Sequence, residues 1–332
     1  MKKISTIALL LLHLTTKAQY APQAGLSGST AISATSTAID GWANTCTVQR
    51  GYIDIANPTL GRVTGGEEVN GTNAADGGIL CFGDSGVATL TFPAAIYNGA
   101  GPDFAVFENG FTDPANGAMA FLELAFVEVS SDGINYFRFE ANSNTPTNTQ
   151  IPGSGVYMDA SLINNLAGKY VSQYGTPFDL EELKDKTGLN VNNITHVRVV
   201  DVVGAVGAHS SRDKDNNIIN DPYPTNFPTG GFDLDAVAVL HMNAVGVTVS
   251  ENKLLVSVYP NPATDYITIN IPEFNNSDYY IKIATITGNT ILSQLVNVAT
   301  TTVSIADYPA GIYYISISNN NGQTWVGNVV KQ

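Results

Sequence analysis

Residues 212–237, "RDKDNNIINDPYPTNFPTGGFDLDAV", carry five aspartates, Asp213, Asp215, Asp221, Asp233 and Asp235, among turn-forming asparagines, prolines and glycines. Carboxylates at this density can hold a hard cation, act as an acid/base pair, or close polar turns. In the first half, the oxygens of Asp213, Asp215, Asn217 and Asp221 occupy positions 1, 3, 5 and 9 of an EF-hand-like calcium loop. Ile218 stands where such a loop has glycine, and Pro224 where it has a bidentate glutamate. With no long flanking helices, the segment reads as a partial calcium loop, weighed against a solvated acidic turn.

In the second half, "FDLDAV" puts Asp233 and Asp235 two apart on one strand face, opposite Leu234. Like charges so close need a cation or donors, more so when an apolar run implies burial. Asp103, Glu108 and Asn109 in "GPDFAVFEN" form a third oxygen-rich group, with Glu108 interrupting an apolar strand. The expectation is one or two structural Ca2+ ions joining these segments.

Catalytic patterns are weaker. "FGDSGV" (82–87) has a Gly-Asp-Ser-Gly run, but His196, His209 and His241 all follow Ser85, and Val87 replaces a second glycine. A polar turn before a strand accounts for it better than a serine nucleophile does. Asp233 with Glu108 could act as a glycosidase pair. Loop aromatics offer flat rings for sugars, with Trp42, Tyr223 and Phe227 as ligand-binding candidates; the alternative for each is packing over loop tips.

These residues need strands to hold them. Apolar–polar alternation marks strands at 87–92, 104–109, 121–131, 135–141, 194–204 and 232–242, with Asp132-Gly133 as a type I′ hairpin turn. One short helix is expected at "DLEELKDKTG", capped by Asp179 with Glu182 three residues on, and stopped by Gly188. The fold class is all-β: an N-terminal β-sandwich, jelly-roll or galactose-binding-like, over 19–242, a linker at 243–253, and a small Ig-like seven-stranded sandwich over 254–332. Cys46 and Cys81 could form one disulfide, worth roughly 3–4 kcal/mol, or remain buried thiols.

Lys2 and Lys3, an apolar run from Ile7 to Leu14 and a small residue at Ala18 read as a signal peptide, residues 1–18. Its apolar run is too short to span a bilayer, and no transmembrane segment is expected elsewhere. Removing Lys2, Lys3 and Lys17 takes the net charge from −14 to −17, which disfavours nucleic acid as a partner and favours cations.

"VYPNPATDYITI", "IATITGNTI", "YPAGIYYISISNNNG" and "NVVKQ" resemble the C-terminal (type A) sorting domain of type IX secretion cargo in the Bacteroidetes. That resemblance implies export across the outer membrane, contact with the secretion machinery, and a final location secreted or at the cell surface. "GPDFAVFENGF", "NDPYPT" and "GGFDLDAVAVL" resemble bacterial "cell surface protein" β-sandwich domains, a resemblance that says little about chemistry. The combined expectation is a calcium-supported binding protein, not an enzyme, whose ligand is carbohydrate or another extracellular molecule. The alternatives are a glycan hydrolase and a structural surface or adhesion protein.

Overall fold

The computed structural model describes residues 20–243, 254–272, 274, 278–319 and 324–332. The expected signal peptide and most of the linker lie outside the described residues. The chain divides at Val245/Gly246 into two compact units. No described helix is long and apolar enough to cross a membrane.

The N-terminal unit is built on two antiparallel sheets. One orders the strands Phe137–Arg138, Ala125–Ser130, Ile194–Asp201, Val87–Ile96 and Thr45–Gln49. The other orders Ile32–Ser33, Tyr174–Phe178, Phe104–Glu108, Asp233–Val239 and Gly41–Trp42, with Leu80–Cys81 also paired to Asp233–Val239. Leu90, Val127, Val197 and Val199 from the first sheet share a core with Phe104, Val106, Leu234, Val237 and Val239 from the second. The second sheet is covered on its other face too: Ala105, Phe107, Ala236 and Ala238 pack beneath Ile32, Ile39 and Trp42. Burial on both faces is why these two strands read as continuous apolar runs rather than alternating ones.

A bulge between Leu234 and Ala236 breaks the side-chain alternation. Leu234, Val237 and Val239 serve the inner core while Ala236 and Ala238 serve the outer layer. Asp233 and Asp235 therefore do not act as a same-face pair, contrary to the regular-strand expectation.

Two other local expectations change. At 179–188 there is a single 3-10 turn, Leu180–Leu183, capped by Asp179 through the Glu181 N–H. Leu180 and Leu183, three apart, both reach the core, and the spacing of a 3-10 turn puts such a pair on one face. The hairpin around Asp132-Gly133 exists, but its pairing begins at Val129↔Phe137. Asp132 accepts from the N–H groups of Ile134 and Asn135, closing a longer polar loop in place of a two-residue turn.

Both cysteines are buried free thiols, so the disulfide does not form. Cys46 lies in the first sheet, whereas Cys81 lies in the second, directly opposite Asp233 on the neighbouring strand. Burial pushes the Cys46 thiol up to about 12 and Cys81 higher still. A thiol reagent is expected to find no reactive group in the native protein and two per chain, without reductant, in denaturant; silence after denaturation would demonstrate a bridge.

The C-terminal unit pairs a three-stranded sheet (Ser257–Tyr259, Tyr266–Asn270, Thr300–Ser304) with a four-stranded one (Thr290–Val296, Tyr279–Thr285, Gly311–Asn319, Thr324–Lys331) around Ile267, Ile269, Ile281, Ile283, Ile315 and Ile317. It is a small Ig-like sandwich of seven described strands.

Candidate metal centre

Three strand termini meet at one end of the N-terminal sandwich. Glu108 ends its strand opposite Leu234, Asp233 begins the neighbouring strand, and Asp201 ends a strand of the other sheet. Phe232, next to Asp233, donates its N–H to Asp201 Oδ1 at 2.8 Å and so ties the two sheets together. Three further carboxylates join them from connecting segments: Asp84, Glu123 and Asp221. All six residues are buried, from 1 % exposed at Glu108 to 6 % at Glu123 and Asp233.

Their hydrogen bonds are few for buried anions. Glu108 Oε2 accepts from Gly110 N at 2.8 Å, Asp221 Oδ2 from Leu124 N at 3.3 Å, and Asp233 Oδ2 from Asn109 Nδ2 at 3.4 Å. The other oxygen of each, Glu108 Oε1, Asp221 Oδ1 and Asp233 Oδ1, is buried without a partner. Asp201 is better served, by Phe232 and by Ser85 N at 3.0 Å, and Asp84 accepts from Ile55 N at 2.8 Å. No ion pair among the described residues involves any of the six.

Desolvation, and then mutual repulsion, holds the cluster's carboxyls above their ordinary range. Burial drives Glu123 well up, and Asp233, Glu108, Asp221 and Asp201 push it further. Glu108, Asp201 and Asp221 are likewise raised, by burial first and by neighbouring carboxylates next. Burial lifts Asp233 and Asp84 to about 6. Such a group must either carry protons or be neutralised by a cation. Among the described residues, no three His, Cys, Asp or Glu side chains converge as a preformed metal group. The cluster is therefore a concentration of negative charge and orphaned oxygens that a cation would have to draw together.

The structure sorts the nine expected metal ligands into two sets. Glu108, Asn109, Asp221 and Asp233 belong to the cluster. The other five are engaged elsewhere, although the charge of Asp235 still reaches Glu108. Asp103 is saturated by Gly99 N, Leu180 N and His241 Nδ1. Asp213 accepts four donors, from Asp215 N, Asn217 N, Asn217 Nδ2 and Ser143 N, and so closes its own loop. Asp215 is exposed beside Lys214 and Asn142. Asp235 caps the N–H groups of Asp76 and Gly77.

Sequence reasoning missed Glu123, Asp201 and Asp84. The first two had one available signal, an acidic residue within a strongly apolar segment ("FLELAF", "VRVVDVV"), the same signal that marked Glu108. Asp84 sat in the "FGDSGV" turn judged for catalysis rather than for ligation.

The aromatic candidates separate as well. Trp42 packs on Phe107 with ring centroids 5.5 Å apart, Tyr223 donates its hydroxyl to Asp54 at 3.0 Å, and Phe227 lies in an exposed loop. A different aromatic group stands out. Exposed Phe111 stacks on Phe121 at 5.2 Å, with Tyr157 edge-on to it at 6.2 Å. Tyr157 also lines a cavity of about 460 Å³, together with Met119, Ile151, Met158, Leu162 and Asn220.

Residues 257–332 match the family model described as the secretion system C-terminal sorting domain. The chain thus carries a sorting domain of type IX secretion cargo, which directs it to the secretion machinery and to export. No curated protein sequence matches the chain. Among solved structures, a DUF3244 family protein with an immunoglobulin-like β-sandwich fold from Bacteroides vulgatus is 21 % identical, with a TM-score of 0.22, over 25 % of this chain and 88 % of that one. The β-glucuronidase from Ruminococcus gnavus in complex with D-glucaro 1,5-lactone is 9 % identical, with a TM-score of 0.22, over 88 % of this chain and 45 % of that one, so the chain spans under half of that enzyme's length.

Proposed function

We propose that the N-terminal unit is a calcium-supported β-sandwich that, once exported, binds an extracellular ligand, carbohydrate in the first instance, without transforming it. The observation that carries this reading is the set of three orphaned, buried carboxylate oxygens on Glu108, Asp221 and Asp233. Calcium is the cation whose habits suit them. It takes six to eight oxygens in irregular geometry, and extracellular modules bind it with Kd of about 10⁻⁴–10⁻³ M. Glu108, Glu123, Asp221 and Asp233 would hold the ion, and Asp201 would brace the two sheets beside it. The ion would supply the positive charge that this end of the sandwich lacks.

The binding role is supported by the aromatic group of Phe111, Phe121 and Tyr157, of which Tyr157 also lines the 460 Å³ cavity, a platform on which a sugar ring can stack. A hydrolase using Asp233 and Glu108 is disfavoured because both are nearly inaccessible, at 6 % and 1 % exposed, and a glycosidic bond could not reach them without opening the sandwich. A glycan array with the full chain in calcium is expected to give binding without release of reducing sugar. Sugar release that disappears in Asp233→Asn would replace this reading with the hydrolase, and neither binding nor release would leave a structural surface protein.

A further inference from the structure

A second cavity lies beside the first, of about 340 Å³, and its walls are polar. Ser143, Thr145, Arg212, Asn216 and Asn217 line it, and it shares Thr145 and Pro146 with the apolar cavity. Two of its hydroxyls are unusual. Ser143 is 4 % exposed, and its Oγ has no hydrogen-bond partner; Thr145 Oγ1 is also buried and also unpartnered. Buried hydroxyls in folded proteins almost always have a partner, so two orphans just beneath the wall of one cavity, on residues that line it, mark missing acceptors.

Arg212 supplies the charge. Its Nη1 donates to Asn216 O at 2.9 Å, and among the described residues it has no ion-pair partner. Its acidic neighbours are already engaged: Asp213 with four donors of its own loop, and Asp215 with Lys214 and Asn142. An exposed guanidinium with no carboxylate partner, lining the same cavity as two residues with unsatisfied hydroxyls, is a donor set for a planar or tetrahedral oxyanion.

We propose that the cavity between Ser143, Thr145 and Arg212 binds the carboxylate or sulfate group of the extracellular ligand, whose less polar body lies against the adjoining cavity. This rests on the reading of the unit as a binding module and names the chemistry that module selects. Arg212 makes the charged contact, and Ser143 and Thr145 donate to the remaining oxygens. An acidic sugar and a peptide carboxylate share this chemistry.

Calorimetric titration of the full chain, in calcium, with galacturonate, galactose 6-sulfate and N-acetyl-diglycine separates the two sources, with galactose and the diglycine amide as neutral counterparts. At least one anionic probe is expected to saturate while its neutral counterpart does not. Arg212→Met is expected to weaken that probe about tenfold or more, the loss of one charge-assisted hydrogen bond, while Lys186→Met changes nothing. Ser143→Ala and Thr145→Val remove hydroxyls that bond nothing within the protein, so each is expected to weaken the probe by about threefold at an unchanged melting temperature. The proposal is overturned if no anionic probe saturates, if neutral counterparts bind equally, or if Lys186→Met weakens binding as much as Arg212→Met. A neutral glycan bound alike by wild type and Arg212→Met would overturn the anion site and leave the binding module standing. Absence of any ligand on the array as well would remove both.

Discussion

Removing calcium with EGTA is expected to lower the melting temperature of the N-terminal unit by roughly 5–10 °C. A ligand present at a hundred times its Kd stabilises the folded state by about 2.7 kcal/mol, and in a domain of this size each kcal/mol moves the midpoint by about 2–4 °C. On the proposed assignment the metal-free state carries the cost of the cluster directly, because Glu108, Glu123, Asp201, Asp221 and Asp233, all raised by burial, must then take up protons or hold their charges near one another without a cation. Glu108→Gln should therefore act with opposite signs in the two states. It removes from the metal-free protein a carboxyl that must be protonated or held against its neighbours, raising its midpoint, and removes a ligand from the loaded protein, lowering its midpoint. The gap between the EGTA and calcium melting curves should close in this variant. Parallel shifts of both curves would mean that Glu108 is a packing residue and nothing more.

Gly168→Ala is expected to be the most damaging single-methyl change near the cluster. Gly168 has φ +79°, and a Cβ placed there would sit 1.8 Å from the Glu123 carbonyl oxygen and 3.1 Å from the Phe232 ring. Backbone must move to admit it, and what moves is the segment presenting Glu123 to the other carboxylates. A cost above about 3 kcal/mol is expected, against about 1 kcal/mol at Gly61, where φ is +85° but no atom lies within 4 Å. Urea denaturation of the two variants measures the difference. Equal losses would show that conformation at positive φ, rather than the close approach to Glu123, sets the cost.

Much of the frame was legible because alternation and turn residues report local geometry. The strands at 87–96, 104–108, 194–201 and 233–239 follow from their apolar patterns, and the seven C-terminal strands from theirs. The bulge at Leu234/Ala236 was not legible: it depends on pairing with Phe107 and Glu108, more than 120 residues away, and it separated the roles of Asp233 and Asp235. The 213–221 loop misled for a related reason. Spacing along the chain fitted a calcium loop, but Asp213 found its four donors locally and from Ser143, while Asp221 turned toward Leu124 and the cluster. Glu123, Asp201 and Asp84 were overlooked because they lie 39 to 117 residues apart in sequence, and only the packing of two sheets brings them near Asp233 and Asp221. A single acidic residue inside an apolar strand, as at Glu108, proved the more dependable sign.

The most direct measurement of the cation assignment is calcium stoichiometry, by elemental analysis of the exported protein after equilibrium dialysis against a buffer holding calcium well above the millimolar range of such sites, with the calcium of the dialysate subtracted, for wild type and for a Glu108→Gln, Asp221→Asn double variant. The assignment predicts about one calcium per chain in the wild type and none in the variant. A wild type that holds no calcium, and whose melting curve EGTA leaves unmoved, would contradict it.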